Sequence, residues 1–328
     1  RDNVPRIDYT GGGCPHILAE PQRTNVFIQN DISTWNGFSS YADETTAPDG
    51  TTIDFVNMED RRIFPTTTIS NSTEYTSSIY LKGNKTADVK LRNTAANDTV
   101  ITLSTEWQRF ELTATSVSTV TNALLIDARY SQGMGAAGLE IAIYGGQLEE
   151  GSYATSYIPT SGSTVTRNQD IFTRDGIGSL INSTEGVLFA ELSVLSDDNT
   201  NRVVSISDGT TTNRVSIVLG TSNNMIRGMV LSGGTSFDFS TTNYDFLNNN
   251  KIAIKYKVND FALWINGTEV ATDSSGNTPT GLNKLSFDIG SSLFPFYGKV
   301  KQLQVYDTAL SDEQLLQLTG ESGTDFYE

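Results

Sequence analysis

Histidine and cysteine are nearly missing from this chain of 328 residues: there is one of each, His16 and Cys14. A single cysteine excludes an intrachain disulfide. A single histidine excludes zinc sites built from several imidazoles and leaves no second candidate for a Ser-His-Asp or Cys-His constellation. His16 lies in a proline-rich segment, two residues from Cys14, with no visible third member. Charged residues are scarce at 18%, so solubility rests on Ser, Thr, Asn and Gly. No apolar run approaches the length of a membrane span and no signal peptide is visible. The chain starts at Arg1 without a methionine, as expected if processing removed something or if it belongs to a longer polypeptide. Five N-x-S/T matches (Asn71, Asn84, Asn97, Asn182, Asn266) are what an Asn/Thr-rich chain produces by chance, and the disulfide-free framework argues against a eukaryotic secretory route.

Basic charge is also short. The formal net charge is −16 and the isoelectric point about 4.4. Such a surface repels phosphate backbones and anionic lipid, which argues against nucleic-acid partners and membrane insertion. Carboxylates and amide oxygens are calcium ligands, so structural Ca2+ is an open expectation, with Asp43, Glu44 and Asp49 as one candidate group and Asp197, Asp198 and Asn199 as another. Solvated turns account for the same residues equally well.

What the chain has in quantity is short alternating runs. At this length two domains of roughly 150 residues are expected. Residues 1–24 hold three prolines and the Gly11-Gly12-Gly13 run, which exclude a helix or a regular central strand. This stretch reads as an extended arm packing along a neighbouring domain or subunit, with Ile7, Tyr9, Ile17 and Leu18 as its contacts. From about 25 to 165 come strands such as TSSIYLKG, TEWQRFELTAT and LEIAIYGGQLE, the last ending at a Gly145-Gly146 break. The stretch SYATSYIPTSGSTVTRNQD reads as a linker, placing a boundary near 165. Strands resume from 166 to 320, with Asn266-Gly267 as a hairpin turn and 321–328 as a tail. One helix is expected in ALSDEQLLQLTG: Ser311 caps it, Gln314 completes a capping box, Asp312 and Glu313 suit its first turn and Gly320 stops it. Leu310, Leu315, Leu316 and Leu318 would dock it. The fold class is therefore all-β: two tandem β-sandwich (jelly-roll) domains, an extended N-terminal arm and one short C-terminal helix.

KIAIKYKVNDFALWINGTEVAT together with the ending Gly298, Val300, Val305, Tyr306, Asp307, Ala309, Leu310, Ser311, Asp312 and Glu313 resembles the laminin-G/concanavalin-A-like lectin family over most of residues 185–318. The first domain resembles the galactose-binding-like jelly rolls of carbohydrate-binding modules, through the STW at Trp35, the APDGTT turn, TSSIYLKG and GGQLEEGSYATSYIPT. PRIDYTGGGCPHILAEPQRTN is similar to a segment of bacteriophage tail-fibre and virion-fibre proteins. These resemblances imply a virion fibre or appendage, a homotrimer contacting other virion proteins and a cell-surface polysaccharide. The alternatives are an appendage of a secreted polysaccharide lyase or glycoside hydrolase, and a purely structural decoration or adaptor.

Catalysis is not expected. Glycosidases on lectin-like sandwiches cluster carboxylates along one strand as E-x-D-x-x-E, and no such run occurs. In KYK, alternation sets Tyr256 opposite both Lys255 and Lys257. Sugar binding needs aromatic faces beside planar polar groups. The candidates are Trp264, which alternates away from Phe261, Leu263 and Ile265 toward either a covered face or solvent; Trp107, sharing a face with Arg109; and the loop aromatics Tyr244, Phe294 and Tyr297. Trp35 suits a core position.

Overall fold

The computed structural model describes residues 6–9, 15–28, 31–65, 67–93, 98–117, 119, 124–220 and 224–320. Cys14 and the tail 321–328 lie outside them. The fold is nearly all-β, and the chain divides into two compact units, residues 22–168 and residues 169–328 joined by 1–21.

In the first unit a five-stranded antiparallel sheet runs in the order Gln108–Thr115, Glu74–Gly83, Glu140–Glu150, Thr52–Asn57, Ser40–Thr46. A four-stranded sheet runs Arg62–Ile63, Leu125–Asp127, Ala87–Arg92, Asp98–Leu103. Alternation sends Ile79, Leu81, Ile141 and Ile143 of the first sheet and Val89, Leu91 and Ile126 of the second into one apolar core. Trp35 is in that core, 3% exposed, with Phe27 edge-on at 5.5 Å. The Gly145-Gly146 pair does not end its strand. Gly145 takes φ 65° and the register slips between Tyr144 and Gln147, so the strand bulges and runs on to Glu150, returning Leu148 to the core. The stretch expected to be a linker is also part of this unit: Thr155, Ile158 and Thr160 are buried in it, and Val165–Arg167 pairs with Arg23–Asn25.

Two Asp–Arg pairs fasten the four-stranded sheet. Arg92 Nη2 donates to Asp98 Oδ2 at 2.8 Å, and Arg129 Nε donates to Asp127 Oδ1 at 2.9 Å. The Arg92 hydrogen bond holds the Asp98 carboxyl below its ordinary range; at Asp127 burial pulls upward, but the Arg129 bonds win and the net shift is downward. Both folded pKa values are depressed. The stability they contribute is therefore present above the unfolded pKa near 4 and is lost as pH falls through the lower folded values. Thermal scans should show the first unit's melting temperature falling below about pH 4, and less steeply in the Asp98→Asn, Asp127→Asn double variant.

The second unit is also a β-sandwich. Its seven-stranded sheet has the order Arg6–Asp8, His16–Ala19, Gly298–Tyr306, Glu185–Val194, Asn250–Lys257, Asp260–Ile265, Thr268–Asp273. Facing it, a six-stranded sheet runs Thr173–Arg174, Lys284–Ser286, Arg202–Ser207, Asn213–Leu219, Ile226–Ser232, Thr235–Thr241. Leu188, Ala190, Leu192, Val204, Val215 and Ile217 meet between them. Asn266 and Gly267 turn the last hairpin with φ 48° and 78°, the conformation that an Asn-Gly pair supplies.

The N-terminal segment, expected to pack along a neighbouring domain or subunit as an extended arm, packs on the second unit, but as strands of that unit's own sheet. Its residues form a hairpin (Ile7 opposite Ile17) added to the sheet edge, with Ile17 opposite Val300 and Ala19 opposite Gly298. Each strand is three or four residues long, too short for alternation to register beside prolines. Its charges are internal fastenings: Arg6 pairs with Glu20 and Asp170, and Asp8 with Lys299 at 2.7 Å. The C-terminal helix spans Asp312–Thr319 with the Ser311–Gln314 capping box in place, though Gly320 caps it at φ −64° and not in the left-handed region.

Candidate functional site: a tyrosine-floored cleft on the first sandwich

The residues that alternate away from the core of the first unit form the outer face of its five-stranded sheet. In TSSIYLKG these are Ser78, Tyr80 and Lys82; across the sheet, register sets Arg109 opposite Tyr80 and Tyr80 opposite Tyr144. A row Arg109–Tyr80–Tyr144 thus crosses three adjacent strands, the Arg109 guanidinium 5.5 Å from the Tyr80 ring and the two tyrosine rings 6.0 Å apart. Tyr157 joins from outside the sheet, its ring 5.4 Å from Tyr144 at 64°. Glycine at 145 makes room for this. A Cβ there would lie 3.2 Å from the Tyr80 ring and 3.6 Å from Tyr157.

Two segments wall the row. On one side is the hairpin of Ser40–Thr46 and Thr52–Asn57: the Trp107 indole N–H donates to the Thr46 carbonyl at 2.8 Å, and Lys82 Nζ donates to Thr45 Oγ1 at 3.1 Å. On the other is the strap 152–158. Thr155 O accepts from Arg109 at 2.6 Å and from Gln147 Nε2 at 3.1 Å, and the Ile158 N–H donates to Gln147 Oε1 at 2.6 Å. The buried Glu149 carboxylate accepts the Thr155 N–H at 2.9 Å. A cavity of about 370 Å³ opens beside the row, lined by Asp31, Ser33, Trp35, Asp54, Tyr144 and Tyr157 among others.

Charge in the cleft is mixed and fixed. Arg109 is bonded to Ser78 at 3.0 Å and paired with Glu111 at 3.0 Å. Burial, and then the neighbouring Asp49 carboxylate, pushes the Tyr144 hydroxyl well above its ordinary value, so it stays a protonated donor. Asp49 is held low by its bonds to Thr51 and stays a charged acceptor. Half-exposed ring faces beside a guanidinium and carboxylates are what a pyranose needs, because its C–H faces stack and its hydroxyls both donate and accept. Proton transfer is poorly provided for. Among the described residues the carboxyl whose pKa is raised is Glu140, by burial and then by Asp43, and its backbone N–H donates to Asn84, away from the tyrosine row. No described group of three His, Cys, Asp or Glu side chains could hold a metal ion.

Of the residues singled out in the sequence, Trp107 and Arg109 belong to this cleft. Tyr80, Tyr144 and Tyr157 were missed, although the alternation that buries Ile79, Leu81, Ile141 and Ile143 points Tyr80 and Tyr144 the other way. The remaining candidates are scattered. Trp264 is 7% exposed in a cluster with Val187, Phe189, Ala253, Ala262 and Leu315, beneath the C-terminal helix, so its ring offers no open stacking face. Tyr244 packs against the core of the second unit. Tyr297 donates to Gln169 beneath the Arg202 guanidinium, and Phe294 stands exposed on its loop. Asp43, Glu44 and Asp49 are exposed on the hairpin of the first unit. Asp197 is half-buried in the second unit, and Asp198 pairs with Arg202 at 2.7 Å. On the N-terminal segment Ile7 and Tyr9 are exposed, whereas Ile17 and Leu18 are half-buried, Ile17 against the core. His16 is hydrogen-bonded to Asn249.

Residues 190–316 match the family described as the concanavalin A-like lectin/glucanases superfamily. The second unit is thus a lectin-like domain. No curated protein matches the chain. Similar solved structures include the CBM40 domain of the Ruminococcus gnavus IT-sialidase, 19% identical over 42% of this chain and 84% of that one, with a TM-score of 0.37. Domain 4 of AbnA, a GH43 extracellular arabinanase from Geobacillus stearothermophilus solved with arabinotriose, is 19% identical over 48% of this chain and 73% of that one, at 0.36. Domains LG4-5 of the mouse laminin α1 chain are 11% identical over 98% and 97%, at 0.30. Among the described residues no helix is long and apolar enough to cross a membrane.

Proposed function

We propose that the protein is a non-catalytic glycan-binding protein whose first sandwich takes a saccharide chain in the tyrosine-floored cleft. The observation that carries this is the group Tyr80, Tyr144 and Tyr157, half-exposed beside Arg109 and the cavity. Affinity electrophoresis against a panel of soluble neutral polysaccharides tests it. At least one should retard the protein, and Tyr80→Ala and Tyr157→Ala should each weaken binding about tenfold, as removal of a stacking ring does. Retardation unchanged in both variants would sink the cleft as the site, and release of reducing ends would overturn the non-catalytic reading.

The setting proposed is a virion fibre or appendage. It rests on the resemblance of the N-terminal segment and on the order of the parts. The alternative, an appendage of a carbohydrate-active enzyme, is equally consistent with a lectin-like domain. A homotrimer joined through the edge strand Arg6–Asp8, where Ile7 is 44% exposed and the adjoining Tyr9 72%, belongs to the virion reading. Sedimentation as a monomer at micromolar concentration would remove that part of it.

A further inference from the structure

The outer face of the six-stranded sheet carries a cation with no counter-charge among the described residues. Arg214 is only 9% exposed, yet no described carboxylate pairs with it: its Nε donates to Ser216 Oγ at 3.0 Å and an Nη1 proton goes to the Thr211 carbonyl. The nearby acid, Asp238, is already gripped by both arms of Arg227, with Nε donating at 2.6 Å. Asp208 is occupied by Thr210 and Asn213. Burial, and then repulsion from Arg227, lower the Arg214 pKa, yet an arginine stays charged at any ordinary pH. A buried charge left unpaired is costly and is normally matched by an internal acid. Register explains the layout. Ser207 faces Arg214 and Ser216 faces Met229, and Arg227 stands two residues before Met229 on the same face of its strand. The half-exposed Met229 thus lies between the two arginines as an apolar floor.

We propose that Arg214 is the anchor of a second ligand site on the lectin-like sandwich, for an acidic saccharide whose carboxylate or sulfate completes the guanidinium while its ring lies on Met229. The remaining Nη protons form the planar fork that carboxylate and sulfate oxygens accept. The net charge of −16 does not forbid this, because physiological salt screens distant charge within about 8 Å while the contact pair is unscreened. The site uses none of the first sandwich's cleft.

The test is calorimetric titration of the intact chain with trigalacturonate, with its methyl ester as the neutral counterpart and with a sulfated galactan oligomer. The acids are expected to bind, the ester at least tenfold more weakly, and raised salt to loosen the acids alone. The arm that binds better identifies carboxylate or sulfate as the group taken. Arg214→Gln should lower affinity for the acid at least tenfold, and Tyr80→Ala should leave it unchanged. In case Arg214→Gln fails to fold, Met229→Glu sets a carboxylate on the neighbouring strand. It should abolish binding of the acid while preserving or raising the melting temperature. No heat from either acid, equal binding of acid and ester, or Met229→Glu binding like the parent would overturn the proposal. Loss through Tyr80→Ala would assign the acid to the other cleft instead.

Discussion

Replacing Arg6 with alanine is expected to destabilise the second sandwich by about 3–5 kcal/mol, the usual cost of removing one partner from a buried ion pair. The side chains concerned are 15% exposed at Arg6, 4% at Glu20 and 1% at Asp170. The two acids are held together from both directions. The Glu20 N–H donates to Asp170 Oδ2 at 2.9 Å and the Asp170 N–H to the Glu20 carbonyl at 2.9 Å, so neither can swing out to water when the guanidinium leaves. Two buried carboxylates would then share a site without the guanidinium that bridges them. Hydrogen exchange along a urea series, read on peptides covering 185–194 and 298–306, measures the loss. The triple variant Arg6→Met, Glu20→Gln, Asp170→Asn should recover much of it, since a neutral replacement of a buried ionic group can match the original. An unchanged urea midpoint in Arg6→Ala would mean that the N-terminal hairpin is undocked in solution.

That segment also shows where sequence patterning stops being informative. Strands of six or more residues announce themselves by alternation, as TSSIYLKG and KIAIKYKV do, and so does the capped helix. Arg6–Asp8 and His16–Ala19 offer three and four residues with a glycine run between, and what fixes the hairpin is the pairing of His16–Ala19 with Gly298–Tyr306 nearly three hundred positions away. The candidate face was half legible. Period-two alternation gives Arg109, Tyr80 and Tyr144 a common outward side, but only the register of three strands puts them in one row. Tyr157 comes from a segment with no periodicity, held by Glu149 and Gln147, and nothing local announces that it folds back. Trp264 failed for a related reason. Alternation correctly set it opposite Phe261, Leu263 and Ile265, but could not say that a helix fifty residues later covers that face.

Trp264→Ala is therefore expected to cost about 3–5 kcal/mol, the range for deleting a buried aromatic, and to leave saccharide binding by the first sandwich intact. The helix Asp312–Thr319 is eight residues long, well under the length that holds its shape in water alone. It stays because Leu315 is fully buried against Trp264, Phe189 and Val187, with Leu310 and Leu318 at the margin and Leu316 turned out to solvent. Two polar ties depend on that seating: the Gly267 N–H to Thr319 Oγ1 at 3.2 Å, and Lys251 Nζ to the Gly320 carbonyl at 2.6 Å. With the indole removed the helix loses its floor, and protection of the amides of 315–319 from hydrogen exchange should disappear before the sheet unfolds. Trp264→Phe separates this role from any other. The indole N–H has no partner among the described residues, so phenylalanine keeps most of the apolar contact and removes a buried donor that was bonded to nothing. Its cost should be small, under about 1.5 kcal/mol. A stacking platform would behave in the opposite way, losing ligand with little change in stability. The two variants, read together by urea unfolding and affinity electrophoresis, decide between a pillar under the helix and a surface for sugar.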